Sequence, residues 1–288
     1  MKPNVMNPPT PASPPTSSLH LTKHQGAGND FLVIEDRNGT TPLDPALVRA
    51  LCDRRFGVGA DGVIRVFRGD DSADLAMDLR NADGSVAEMS GNGMRCLAQA
   101  AVDAGLVAPP TFTVWTLTGV RTVEYHPGDT PGAAEASVDM GKANLGPDPT
   151  EGFADRKARQ VDMGNPHLVL LAPELDDVDV EELGSSLQHV HPGGINVEFI
   201  AAGPGPDAIT LRVWERGVGQ TLACGTGSAA AAAVAHGWGL VGERVDVHNP
   251  GGTLAVVLAP DGIRLSGPVH KVADLDVCPD ELLAARGS

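Results

Sequence analysis

From Leu19 onward the apolar positions fall in short runs rather than long stripes. FLVIE (31–35), GVIRVF (62–67), ADLAMDL (73–79), TFTVW (111–115), RTVEY (121–125) and ASVDM (136–140) are punctuated by Gly, Asp and Pro. Their length, alternation and β-branched content predict strands. Two stretches of this half carry helical spacing instead, near 45–55 and over 91–104. The second half has the same texture. HLVLLA (167–172), NVEFIA (196–201), ITLRVW (209–214), RVDVH (244–248) and TLAVVLA (253–259) predict strands, and an alanine-rich stretch over 226–236 predicts a helix. Residues 1–18 are rich in Pro, Ser and Thr and contain no aromatic residue, a composition that predicts a disordered leader.

The two halves repeat each other in register. Ser90-Gly91-Asn92-Gly93 is matched 134 positions later by Cys224-Gly225-Thr226-Gly227, and Gly105-Leu106-Val107 by Gly239-Leu240-Val241 at the same spacing. Gly59 and Val63 meet Gly193 and Val197 at 134, and the run from Asn29 to Val33 resembles that from Asn165 to Val169 at 136. Ordered matches of this kind are the mark of a duplicated unit. The expected fold is α+β with two pseudo-symmetric domains, each a curved, mainly antiparallel, barrel-like sheet around one central helix. We place the domains at 19–140 and 141–275, with the C-terminal segment crossing back and a tail over 276–288.

Charge and composition narrow the functions open to such a fold. The chain has 21 Lys+Arg against 37 Asp+Glu, a net charge of -16. That charge repels phosphate backbones and anionic lipid, so neither nucleic acid nor a membrane is an expected partner. No apolar run nears the roughly 20 residues that span a bilayer, and no signal-like segment opens the chain, so a cytoplasmic location is expected. Cys52, Cys96, Cys224 and Cys278 are too few and too widely spaced to staple 288 residues, and reduced thiols follow. Histidines are scattered, with no His-Glu-x-x-His pattern, and no metal site is expected.

Candidate chemistry lies at the two glycine-rich helix starts. Unpaired N–H groups and the helix dipole there form a ready anion site, which holds a carboxylate without Lys or Arg. A thiol at that place is expected to be more acidic than usual, so Cys224 is a candidate proton-transfer group. Two such starts facing one cleft present two groups to opposite faces of one carbon. That geometry suits stereoinversion through removal and return of an α-proton. The five lysines sit in no phosphate cradle, so a small-molecule reaction without a pyridoxal cofactor is expected.

The motif Asn81-Ala82-Asp83-Gly84-Ser85, then VAEM, then Ser90-Gly91-Asn92-Gly93-Met94-Arg95 closely resembles the signature of the diaminopimelate epimerase family. The resemblance extends through GAGNDF (26–31), CDRR (52–55) with GVGADG (57–62), VDMG (138–141), GNPH (164–167) and ERGVG (215–219) to ACGTG (223–227). It covers the chain from Leu19 to about Val272. It implies cofactor-independent interconversion of LL- and meso-diaminopimelate by two thiols, serving lysine and peptidoglycan synthesis, in a protein for which a homodimer is reasonable. It implies Cys224 as one catalytic cysteine, with His167 and Glu215 supporting the thiols. Gly91, Asn92, Gly225 and Thr226 would hold the reacting end of the amino acid. Asn29, Asn81, Asn165, Asn196, Glu215 and Arg216 would line the cleft, chiefly around the distal end.

One departure bears on mechanism: the family carries cysteine where this chain has Ser90. A hydroxyl is a far weaker acid than a thiol and forms an alkoxide only beside a strong base. Cys96 is no substitute, because six residues along a helix turn it by about 240° and carry it about 9 Å away; its repeat counterpart is Ala230, a core-like position. Three readings stay open: an epimerase in which Ser90 transfers the proton at one face, a one-base isomerase or dehydratase, and a non-catalytic amino-acid-binding relative. At Gly62 some members have a substrate-contacting Gln, so no contact is carried over there.

Overall fold

The architecture is that of a computed structural model, which describes residues 18–39, 41–146, 153 and 156–285. The leader expected over 1–18 lies outside them except for Ser18. The first half runs β1 (Leu19–Gly26), β2 (Asn29–Glu35), α1 (Pro45–Cys52), β3 (Gly62–Arg68), β4 (Leu75–Asn81), β5 (Val86–Ala87), α2 (Gly91–Asp103), β6 (Thr111–Thr116), β7 (Gly119–Pro127) and β8 (Ala133–Gly141). The second runs β9 (Asn144–Leu145), β10 (Ala158–Asp162), β11 (Pro166–Leu171), a 3-10 turn, α3 (Val180–Leu187), β12 (Asn196–Ala202), β13 (Ala208–Glu215), β14 (Gly219–Thr221), α4 (Gly225–Gly237), β15 (Arg244–Asn249), β16 (Gly252–Ala259), β17 (Gly262–Val277) and α5 (Pro279–Ala285). No helix among the described residues is long and apolar enough to cross a membrane.

Strand pairing closes two barrels that share their crossing strands. In the first, β1, β2, β3, β4, β6, β7, β8 and β17 pair in succession, and β17 returns to β1 through Leu19↔Val277 to Gln25↔His270. In the second, β10, β11, β12, β13, β15, β16 and β17 pair in succession, β17 meets β8, and the chain continues from β8 into β9, which pairs with β10. The α+β class and the duplicated barrel around a central helix agree with the sequence reading. Most pairs are antiparallel. The exceptions are β2–β3 and β4–β6, duplicated as β11–β12 and β13–β15. Each parallel pair needs a crossover helix: α1 and α3 serve the first pair of each half, α2 and α4 the second.

The burial pattern follows from this layering. Helices α2 and α4 are buried around nearly their whole circumference, from Gly91 to Ala101 and from Gly225 to Ala235. An all-round buried helix needs side chains small enough for a sheet to wrap it. The alanines of 229–235, broken only by Val234, meet that need. Strands β2 and β11 are covered on both faces, by the central helix inside and by an outer apolar layer that includes Val48 and Leu51 in one half and Leu175 and Val180 in the other. They accordingly read as continuous apolar runs rather than alternating ones. One hydrophobic cluster runs through both barrels, from Ile64 and Met94 to Ala230 and Val256. The halves are therefore welded where the two central helices meet.

Candidate active site

Each central helix begins after a capping residue with extended backbone, Ser90 before α2 and Cys224 before α4. Ser90 Oγ accepts from the Gly93 N–H at 3.0 Å, and Cys224 Sγ from the Gly227 N–H at 3.4 Å. Each cap fills one orphan donor of the first turn and leaves others free. The two starts abut. A Cβ on Gly225 would lie 2.8 Å from the Gly91 Cα and 3.2 Å from the Asn92 nitrogen. Neither glycine has a positive φ, so close approach of the two backbones, not backbone conformation, demands a residue without a side chain. Two helix dipoles and their free N–H groups thus converge on one place, suited to a carboxylate. Gly225→Ala is expected to lower stability by about 1–3 kcal/mol, read as a lower thermal midpoint, because the opposing atoms are backbone. An alanine variant as stable as the parent would refute this contact.

A cleft opens at the junction, walled by both halves. Asn29, Asn81, Ser90, Gly91 and Asn92 come from the first half, and Asn165, Asn196, Glu215, Arg216, Cys224, Gly225 and Thr226 from the second. Asn92 donates to Asn29 Oδ1 at 3.2 Å and to the Ala223 carbonyl at 3.1 Å, tying the halves together. Asn196 accepts from the Arg216 N–H at 2.9 Å, and the Arg216 guanidinium reaches toward Glu88 across the cleft at 3.8 Å. Phe31, Leu79, Met89 and Val218 supply apolar wall, and Asp61, Glu88 and Thr221 supply further polar groups not singled out from the sequence. His167 stands apart from the wall. It is fully buried and meets the cleft through Asn165, whose Oδ1 lies 2.9 Å from its Nε2. At Gly62 a Cβ would lie 2.6 Å from the Arg80 carbonyl oxygen, so that position has no room for a side chain.

Behind Cys224 the wall is acidic. Glu198 on β12 is fully buried, with Oε1 2.6 Å from His167 Nδ1 and Oε2 without a hydrogen-bond partner among the described residues. A Cβ on Gly227 would lie 2.8 Å from Glu198 Oε1 and 3.3 Å from Cys224 Sγ, so no side chain separates thiol from carboxylate there. Burial, then the charges of Glu215 and Glu198, push the Cys224 thiol well above its ordinary value. This corrects the expectation of an unusually acidic thiol. The Thr226 hydroxyl and Gly227 N–H do favour the thiolate, but burial beside two carboxylates outweighs them. Burial also raises Glu215, with Glu198 adding to the effect and the Thr221 hydroxyl opposing it. Cys224 therefore holds its proton at neutral pH.

Strand register shows what surrounds Ser90 by comparison. Phe31 faces Gly62 across β2–β3 as His167 faces Asn196 across β11–β12. Val63 faces Arg80 across β3–β4 as Val197 faces Trp214 across β12–β13. The counterparts of His167, Glu198 and Glu215 are therefore Phe31, Ile64 and Asn81. A Cβ on Gly93 would meet Ile64 Cδ1 at 3.2 Å where one on Gly227 would meet the Glu198 carboxylate. Ser90 has no base at any of the three positions. In the sequence Glu198 is a lone carboxylate inside the run VEFIA, where burial without a partner is costly, but nothing local names that partner.

The family model described as diaminopimelate epimerase matches residues 21–146 and 159–272. The chain belongs to the diaminopimelate epimerase family. Diaminopimelate epimerase of Desulforapulum autotrophicum is 39% identical over 259 residues, covering 83% of this chain and 90% of the relative. That of Xylella fastidiosa strain 9a5c is 42% identical over 277 residues, covering 89% and 95%. A solved hydroxyproline epimerase from Agrobacterium vitis, at 17% identity, superposes with a TM-score of 0.69 over 94% of this chain and 98% of its own, a likeness of fold. Both helix starts and every cleft residue named above lie inside the stretches matched by the family.

Proposed function

We propose that this chain is a diaminopimelate epimerase that interconverts LL- and meso-2,6-diaminopimelate by removing and returning the proton at one α-carbon, without pyridoxal phosphate. The meeting of two capped helix starts in a cleft with a distal arginine carries this reading. The reacting carboxylate rests on the N–H groups of Gly91, Asn92, Gly225 and Thr226, which also stabilise the charge that builds when the proton leaves. The methylene chain runs along Phe31, Leu79, Met89 and Val218. The distal head group meets Arg216 and the amides of Asn29, Asn81, Asn165 and Asn196. A site so equipped rejects ligands without the second head group, because its polar groups would be left unpaired. As the resemblance implies, the enzyme acts in the cytoplasm as a homodimer and serves lysine and peptidoglycan synthesis.

The two faces contribute unequally in this reading. Cys224, protonated at rest, donates to the carbanion from its side. To abstract instead, it first passes its proton to Glu215, the buried carboxylate whose charge acts on the thiol; His167 and Glu198 lie next in line. On the other side the Ser90 hydroxyl gives its proton to the carbanion when Cys224 abstracts and regains it from solvent; when Cys224 donates, a water held at Ser90 takes the leaving α-proton and passes it to solvent. The apolar Phe31 and Ile64 near Ser90 favour a second reading, a one-base isomerase or dehydratase in which Ser90 only positions.

Exchange of the α-proton in deuterated water, followed separately from LL- and meso-diaminopimelate, separates the readings. Exchange with inversion from both isomers is expected, with wash-in faster from the isomer whose α-hydrogen faces Cys224. Exchange from one isomer without inversion would replace epimerisation by the one-base reaction. Binding with no exchange would leave a ligand-binding protein.

A further inference from the structure

Arg95 lies in the first turns of α2, is 0% exposed, and has no carboxylate in ion-pair contact among the described residues. Its Nη2 donates to Asn92 Oδ1 at 2.7 Å, its Nε to the Pro268 carbonyl at 3.3 Å and its Nη1 to the Gly91 carbonyl at 3.4 Å. All three acceptors are neutral. Burial lowers the guanidinium to about 10, which leaves it cationic at neutral pH. The neighbouring Cys96 thiol offers no counter-charge, since burial pushes it up to about 12. The fold makes room for this cation on purpose: a Cβ on Gly26 would lie 3.0 Å from Nη2, and one on Gly267 would lie 3.5 Å from Cζ. The repeat has no equivalent, because Ala229 stands 134 positions on.

A buried charge is costly unless paired, and native proteins pair it with an opposite charge or a bound ion. Here no pairing group is found among the described residues, while an anion cradle lies one hydrogen bond away. Asn92, the residue that Arg95 grips, lines the cleft at the start of α2. The acidic groups Glu198 and Glu215 stand on the opposite half, so the cleft carries positive charge behind α2 and negative charge behind Cys224. We propose that Arg95 is a positioning residue whose fixed charge is the buried counter-charge of the ligand carboxylate seated at the two helix starts, acting through Asn92 and the first turn of α2. This rests on the reading that the cradle takes a carboxylate, and extends it by assigning the cation that helix dipoles alone do not supply. A single carboxylate is drawn to the α2 side and an ammonium to the Glu215 side, which fixes how an α-amino acid enters.

The test compares wild type, Arg95→Lys and Arg95→Gln by calorimetric titration with LL-diaminopimelate and with heptanedioate, which keeps both carboxylates and lacks both amines. Thermal midpoints of the three proteins are recorded alongside. Lysine keeps the charge but loses the forked bonds; glutamine keeps a donor for Asn92 but loses the charge. Expected is binding by Arg95→Lys within about threefold of wild type and by Arg95→Gln weaker by at least about thirtyfold for both ligands. Equal loss in both folded variants, or none in Arg95→Gln, overturns the proposal. Where Arg95→Gln fails to fold, Arg95→Lys decides alone: a loss of about thirtyfold there also overturns it. A wild-type protein that binds heptanedioate with this dependence but not LL-diaminopimelate refutes the diaminopimelate reading only. One that binds neither refutes both.

Discussion

Replacing Cys224 by alanine is expected to lower α-proton exchange from either isomer by about a hundred- to ten-thousandfold, the range for loss of a positioned acid–base group. The fold should survive. The lost cap is a single 3.4 Å contact to the Gly227 N–H, costing on the order of 1 kcal/mol, and a methyl group fits a site that is already 5% exposed and apolar on the side of Ala223. The unmodified thiol should betray its environment as well. Because its affinity for protons is raised by burial, Glu215 and Glu198, the thiolate fraction at neutral pH is small. Alkylation of Cys224 by iodoacetamide, followed by peptide mapping to separate it from the more accessible Cys278, should keep accelerating beyond the pH at which an ordinary exposed thiol levels off. A Cys224→Ala protein with full exchange activity would sink the site assignment. A Cys224 that is alkylated fast and without pH dependence near neutrality would show instead that the cleft opens and hydrates the thiol.

What could be read from the chain alone follows the distance over which each feature is determined. The central helices and their 134-residue spacing were legible because caps, glycines and small residues are local signals. The doubly covered strands FLVIE and HLVLLA were legible for the same reason. By contrast β17 has no strand signature of its own. Its middle holds Gly267-Pro268 and its end alternates charged and apolar residues, and it is a strand because two barrels each need it as a closing partner. Helix α3, VEELGSSL, is less legible than its counterpart α1. Both are eight residues long and start at an Asp cap, but α3 fully buries only Val180 and Gly184 where α1 buries Val48, Ala50, Leu51 and Cys52, so α3 carries the weaker apolar signal. Motif resemblance names the asparagines and Arg216 that line the cleft but not Glu198, since no local pattern marks a buried carboxylate as the partner of a histidine 31 positions away. The proton affinity of Cys224 failed for a related reason. The helix start is a local effect and lowers it, while two carboxylates brought in by β12 and β13 are non-local and prevail.

Ser90→Cys is expected to raise epimerisation by at least about tenfold, with a smaller change in exchange at the Cys224 face. A thiol can fill the cap, as Cys224 does for Gly227, so the start of α2 should be preserved. A cysteine has an ordinary pKa near 8.5 and can both give and take a proton, whereas the Ser90 hydroxyl has Phe31, Ile64 and Asn81 where Cys224 has His167, Glu198 and Glu215. With no carboxylate at those positions, a thiol at residue 90 would also be spared the repulsion that raises Cys224, and the N–H of Gly93 would favour its thiolate. The paired variant would therefore have one acidic and one basic thiol across the same α-carbon, the division of labour that two-sided proton transfer requires. Ser90→Ala gives the complementary measurement. If the hydroxyl supplies the second proton, alanine should depress inversion while leaving exchange at the Cys224 face. If Ser90→Cys and Ser90→Ala both epimerise like wild type, residue 90 is no more than a helix cap, and the second proton comes from elsewhere in the cleft, with Asp61 and Glu88 the carboxylates placed to supply it.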